Sequence, residues 1–186
     1  MSPMPSPSSA VQPGPRPLPR AALVPKPGAS NSMNELFRGY RYRGLMDQPT
    51  KQQLVENLNQ DLRLEFQSIV QYVQHVAVIT GPEYTSTVDE LKIHLTQELA
   101  HACVLAEQVA FLDGKPSTTV PDVPVVTDSQ GALAADLRLE IEQLERYRVR
   151  VQEATELGLP DVAEALRPLL TETQEHVRDL QSALGQ

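Results

Sequence analysis

The sequence contains one cysteine, Cys103, and no tryptophan. A single cysteine cannot form an internal disulfide, and there is no cysteine cluster to bind zinc or an iron–sulfur centre. The chain also lacks an apolar run of about 18 residues, as in membrane-spanning helices, and its first residues lack the apolar stretch of a secretory signal. We therefore expect a cytoplasmic protein that does not cross a membrane, with Cys103 packed as a small apolar side chain.

Charge is distributed unevenly along the chain. Residues 1–46 contain six basic residues and one acidic residue, whereas the whole chain has a net charge of −8, so the remainder carries −13. Nine prolines fall within residues 1–33 among serine and glycine. Such a segment buries too little apolar surface to offset the entropy lost on ordering. The sequence predicts a disordered, basic, proline-rich N-terminal extension over residues 1–46.

The rest of the chain has helical periodicity. Apolar residues recur at steps of three and four in four segments, each closed by glycine and proline or by the chain end: residues 51–80, 84–113, 131–157 and 161–183. Residues 115–130 are rich in proline and threonine and are long enough, when extended, to run the length of a bundle. We predict an all-α fold, an up-down four-helix bundle over residues 51–184, with a long crossover between its second and third helices.

Each predicted helix has polar residues where its apolar face requires core residues. They are Glu65 in the first helix, Glu98 and His101 in the second, Glu140 in the third and His176 in the fourth. A buried carboxylate is costly unless it becomes neutral or binds a cation. Carboxylates with imidazoles favour iron or manganese, and one Glu from each of two helices with Glu-x-x-His from the others is the ligand pattern of di-iron bundles. The sequence therefore predicts a two-metal site.

Each of these residues also has a simpler interpretation. A single Glu on an apolar face usually reaches water at the edge of the core, and a single His is usually a hydrogen-bonded core residue. The coincidence of such residues near the middle of four separate helices favours the metal site.

At these positions the sequence resembles the bacterioferritin branch of the ferritin-like superfamily over residues 52–183. The motifs that carry the resemblance are Asn57-Leu58-Asn59 with Glu65, Gln71-Tyr72 and His75; Glu98 to His101-Ala102 with Glu107 and Phe111-Leu112-Asp113-Gly114-Lys115-Pro116; and Asp136-Leu137-Arg138-Leu139-Glu140. The resemblance implies that Glu65, Glu98, His101, Glu140 and His176 ligate two iron ions per subunit. It further implies oxidation of Fe(II) by oxygen or peroxide and storage of the ferric product in a homo-oligomeric shell.

The sequence departs from the family pattern in three ways. Thr173 occupies the position of a fourth-helix Glu, so we expect Glu172, turned inward by a kink at Pro168, to replace it as a ligand. Leu99 stands where the family has a haem-binding methionine, so haem is not expected. The chain extends only ten residues beyond His176, too few for the family's fifth helix, which favours a dimer or a small shell.

Two further residues share the ligand face. Tyr72 lies two turns after Glu65, where its hydroxyl could bond a ligating carboxylate, although core packing explains it equally well. His94 lies one turn before Glu98 and is either a further ligand or a hydrogen-bonded neighbour.

Two alternative functions remain open. One is another di-metal oxidoreductase, such as a manganese catalase. The other is a DNA-binding protein like the mini-ferritins, with the basic extension neutralising phosphates and its aromatics stacking on bases. Metal content distinguishes the first alternative, and a gel shift of the full chain against one starting near Gln48 tests the second.

Overall fold

A computed structural model describes residues 49–186, which form four long helices and one short 3-10 turn. The elements are α1 (Lys51–Val78), the 3-10 turn (Pro82–Tyr84), α2 (Thr85–Phe111), α3 (Ser129–Glu156) and α4 (Pro160–Ala183). The predicted all-α four-helix bundle is confirmed, and its helix ends differ from the predicted ones by about two residues. No helix in this part of the chain is long and apolar enough to span a membrane. The predictions for residues 1–46 lie outside the described residues.

The helix ends follow local sequence signals. Thr50 caps α1 in a capping box with Gln53, since the Thr50 hydroxyl oxygen accepts from the Gln53 N–H and the Gln53 side chain accepts from the Thr50 N–H. The carboxylate of Asp128 caps α3 by accepting from the N–H of Gly131 at 2.7 Å. After α2 the chain turns at Gly114, where a Cβ atom would lie 2.5 Å from Val55 Cγ1. Only glycine therefore permits this close approach.

The helices pair in a fixed topology. α1 and α4 each pack against α2 and α3 and lie diagonally opposite one another. The crossover, residues 112–128, follows α1: the Asn59 amide donates to the Lys115 carbonyl at 3.1 Å, and the Gln74 amide donates to the Val126 carbonyl at 2.9 Å. Fifteen helical residues separate Asn59 from Gln74, so the crossover runs along about 22 Å of the bundle.

The core is divided into two hydrophobic clusters. One includes Leu54, Leu58 and Leu105, and the other includes Leu91, Leu133 and Leu180. Buried polar residues lie near the middle of each helix, between the two clusters. The apolar clusters keep the helices at fixed spacing on both sides of that polar layer.

Candidate metal centre

The polar layer contains five of the predicted ligands, and each is almost completely buried. The exposed fraction of Glu65, Glu98, His101, Glu140 and His176 is at most 1%. α1 supplies Glu65, α2 supplies Glu98 and His101, α3 supplies Glu140 and α4 supplies His176. The three-residue interval between Glu98 and His101 places both on one face of α2. The structure thus brings these five side chains together from all four helices.

Their ligand atoms form two clusters that share Glu98. In the first, His101 Nδ1 lies 3.8 Å from Glu65 Oε2 and 3.7 Å from Glu98 Oε2. In the second, His176 Nδ1 lies 3.0 Å from Glu98 Oε1 and 3.3 Å from Glu140 Oε2. Within each cluster one ligand atom of every residue is within 4.8 Å of the others. Because Glu98 presents one oxygen to each cluster, it would be a shared ligand if both clusters held a metal ion.

The unsatisfied polar atoms at this site fit bound metal ions. Glu65 Oε2, both oxygens of Glu98 and Nδ1 of His101 are buried and have no hydrogen-bond partner among residues 49–186. Histidines are the only cationic side chains of the described chain within ion-pair distance of Glu65, Glu98 or Glu140. Burying such groups without partners is costly. Oxygen and imidazole donors around these atoms fit iron or manganese.

A residue outside each cluster orients its histidine. The Nε2 of His101 lies 2.9 Å from Glu172 Oε2, and the Nε2 of His176 lies 2.9 Å from Gln97 Oε1. Both partners accept hydrogen bonds, so each Nε2 carries a hydrogen and each Nδ1 faces the clusters. Fixing the ring in this way is a common feature of histidines that ligate metals.

This arrangement corrects the expected role of Glu172. Its side chain is 37% exposed and contacts the outer nitrogen of His101, and it belongs to neither ligand cluster. α4 remains helical through Pro168, and Glu172 is not turned into the polar layer. Thr173 is the α4 residue that faces the layer, with 1% exposure, and its hydroxyl donates to the Leu169 carbonyl at 2.8 Å. The clusters therefore contain three carboxylates.

Two tyrosines, one on α1 and one on α3, each donate a hydrogen bond to a glutamate on the other of these two neighbouring helices. The Tyr72 hydroxyl of α1 donates to Glu140 Oε1 at 2.6 Å, and the Tyr147 hydroxyl of α3 donates to Glu65 Oε1. Gln143 also donates to Glu65 Oε1, at 2.8 Å. Each carboxylate thus keeps one oxygen for its tyrosine and directs the other toward the clusters.

The burial of three carboxylates close together shifts the pKa values of the cluster residues. Burial and the charge of Glu98 raise the pKa of Glu65 well above its usual range and the pKa of Glu140 to about 7. Burial also acts to raise the pKa of Glu98, but the adjacent Glu65 carboxyl and His101 outweigh it and lower that pKa. Burial opposes the charged form of His176, but Glu140 and Glu98 raise its pKa to about 10. In the metal-free protein, protons therefore occupy places that cations would take.

His94 joins neither cluster. Its ring stacks on that of His176, with centroids 4.0 Å apart and planes inclined by 25°. Burial and the positive charge of His176 lower the pKa of His94 to about 4. His94 therefore belongs to neither of the two clusters that share Glu98, and its ring nitrogens make no hydrogen bond within residues 49–186, so neither of the two roles expected from the sequence describes it.

Sequence analysis missed Tyr147, Gln97 and Gln143 as site residues. Tyr147 follows Glu140 by seven residues, as Tyr72 follows Glu65. That repeated interval was the available signal. Nothing in the sequence marks the two glutamines, because their contacts depend on which helices are neighbours. Cys103, expected to be packed, is exposed on α2, so that prediction was wrong.

Comparison with known proteins gives consistent results. A family model described as ferritin-like domain matches residues 55–186. A bacterioferritin from Brucella melitensis is 25% identical over 132 residues, covering 70% of this chain and 82% of the relative. A structure of ferritin-like, diiron-carboxylate proteins from Bacillus anthracis superposes with a TM-score of 0.69 at 26% identity, covering 72% of this chain and 96% of the other.

A second solved structure shares the fold at lower identity. It is the bacterioferritin-related protein of Bacteroides fragilis, a dodecameric thioferritin, with a TM-score of 0.64 and 23% identity. The match covers 79% of this chain and 93% of that one.

Proposed function

Because the chain belongs to the ferritin-like domain family, we propose that its bundle binds two iron ions and oxidises Fe(II), with dioxygen or peroxide as the electron acceptor. The observation that carries the proposal is the pair of ligand clusters joined by Glu98, whose two buried oxygens have no hydrogen-bond partner in the described chain. Divalent cations would neutralise the three buried carboxylates of this layer, which have only histidines as cationic neighbours in the described chain.

In this proposal each ligand cluster binds one of the two iron ions. Glu65 and His101 hold one ferrous ion, Glu140 and His176 hold the other, and Glu98 lies between them. Each ferrous ion loses one electron. With dioxygen as the acceptor, the two electrons and two protons convert it to hydrogen peroxide, and two ferric ions remain. The surrounding leucine clusters exclude bulk water from this layer.

An anaerobic titration with Fe(II), followed by oxygen, tests the proposal. We expect two ions per chain to be oxidised rapidly, with a transient absorbance change before the ferric product appears. Binding of Mn(II) with no oxidation of Fe(II) would favour a different di-metal oxidoreductase on the same bundle. Failure to bind either metal would contradict the metal centre itself.

Retention of the ferric product requires an enclosing assembly, and the chain is predicted to form a homo-oligomer. Large apolar side chains on three of the described helices support this, since Val73, Ile93, Leu99 and Ile141 are between 42% and 57% exposed and contact with other copies would bury them. Light scattering of the metal-free full chain should give a mass of at least a dimer. If the protein is monomeric across the micromolar range, the proposed storage of ferric product is contradicted and only the proposed oxidation remains. The cytoplasmic location predicted from the sequence stays a prediction.

A further inference from the structure

A second group of metal-binding side chains lies beside the centre. Glu90 and His94 are one turn apart on α2, and Asp179 faces them from α4. His94 Nε2 is 3.4 Å from Asp179 Oδ2 and 3.9 Å from Glu90 Oε1. One ligand atom from each of the three residues lies within 4.8 Å of the others. The group therefore offers one imidazole and two carboxylates from two different helices.

The histidine of this group is buried without a partner. Only 2% of its side chain is exposed, and neither ring nitrogen makes a hydrogen bond within residues 49–186. Buried side-chain nitrogens are nearly always paired, because an unpaired one costs free energy. The ring points its Nε2 at the two carboxylates, at distances that leave room for an ion between them.

The group is also accessible from solvent. His94, Glu90 and Asp179 line an open pocket of about 270 Å³ together with Thr87 and Ser182. The side chains of Glu90 and Asp179 are 47% and 50% exposed. An ion can therefore reach this pocket from water, which the fully buried ligand clusters do not allow.

The pocket and the centre share a wall. That wall is formed by the stacked rings of His94 and His176, and His176 Nδ1 on its far side faces Glu98 and Glu140. Only these two stacked imidazole rings would thus separate a cation in the pocket from the second cluster.

We propose that Glu90, His94 and Asp179 bind a divalent first-row transition-metal ion, and that this site loads Fe(II) into the centre. A mixed imidazole and carboxylate set suits such ions, whereas Mg²⁺ and Ca²⁺ prefer oxygen ligands alone. Two half-exposed ligands make the site weaker than the buried centre, as a transfer site requires. The loading role rests on the proposed oxidation of iron, whereas the binding of the ion does not.

Equilibrium binding of Co(II) to the full chain tests the site. The variant E90Q/D179N removes both carboxylate charges without changing side-chain size, and D89N/E175Q removes two exposed acids that pair with Lys92 and Arg178. We expect three ions per chain in the unaltered and control proteins and two in E90Q/D179N. Equal stoichiometry in E90Q/D179N and the control overturns the proposal.

The same measurement in a Glu98→Gln background separates this site from the centre. One ion should remain in that background and should disappear when E90Q/D179N is added. If Glu98→Gln changes nothing while E90Q/D179N still removes one ion, the proposed function fails and the pocket site stands.

The loading role has its own readout. In E90Q/D179N the KM for Fe(II) should rise by at least about ten-fold, the lower end of the range for losing a residue that merely orients a metal ligand, while kcat is retained because the centre is intact. An unchanged KM would overturn the loading role even where the third ion is lost.

Discussion

Replacement of Glu98 by Gln is expected to remove both metal ions from the centre, whereas replacement of Glu65 by Gln removes only one. Glu98 gives one oxygen to each cluster, and Glu65 belongs to a single cluster. Loss of a partner that merely orients a ligand lowers metal affinity by about 10–100-fold, so loss of the shared ligand should lower it by more than about 100-fold at both positions. Fe(II) oxidation should disappear with the metals.

The control for this prediction is Glu107→Gln. Glu107 lies on the same helix and is exposed to solvent, so the change removes the same charge without touching the clusters. Anaerobic Fe(II) titration measures the number of tight sites, and circular dichroism checks that the bundle is folded. Two tight sites in Glu98→Gln would show that Glu98 does not bridge the metals.

Replacement of Thr173 by Glu is the second change with a large expected effect. Two divalent ions carry four positive charges, while the clusters offer three carboxylates. A fourth carboxylate at this buried position should raise the affinity for the more weakly bound of the two ions, called here the second ion. We expect a gain of at least about ten-fold, which corresponds to about 1.4 kcal/mol. The same carboxylate should destabilise the metal-free protein, because it adds a buried charge without a partner.

Thermal unfolding distinguishes these opposite effects. Thr173→Glu should have a lower midpoint than the unaltered protein without metal and a larger upward shift when Mn(II) is added. Thr173→Gln is the matched control, since it has nearly the size of Glu without the charge, and it should show no gain in affinity. If both variants bind the second ion alike, charge at this position does not limit the centre.

The helices and the inward direction of the ligands were predictable because both depend on periodicity. A residue's position in a helical repeat decides whether it faces the core, and this sufficed for Glu65, Glu98, His101, Glu140 and His176. The same rule explains the error at Cys103, whose expected packing came from the average behaviour of cysteine and not from its place on α2. On that helix the buried residues Ala102 and Leu105 belong to a face that excludes Cys103.

Contacts between helices were not predictable in this way. Glu172 was expected among the ligands because the chain lacks the usual Glu at residue 173. Its actual contact, with the outer nitrogen of His101, depends on how α4 lies against α2. The contact between His176 and Gln97 also depends on how α4 lies against α2. A single sequence defines the faces of each helix, whereas the alignment of one face against another requires the packed structure.

The exchange of tyrosines between α1 and α3 makes the candidate metal centre depend on both helical hairpins. The hairpin of α1 and α2 contains Glu65 and Glu98, but the hydroxyl that holds Glu65 comes from Tyr147 in the other hairpin. The second cluster likewise needs Glu98 from the first hairpin and His176 from the second. A chain with only one hairpin formed cannot assemble both clusters, so the proposed metal binding requires the two halves to dock, and metal content is expected to report whether the tertiary structure is complete.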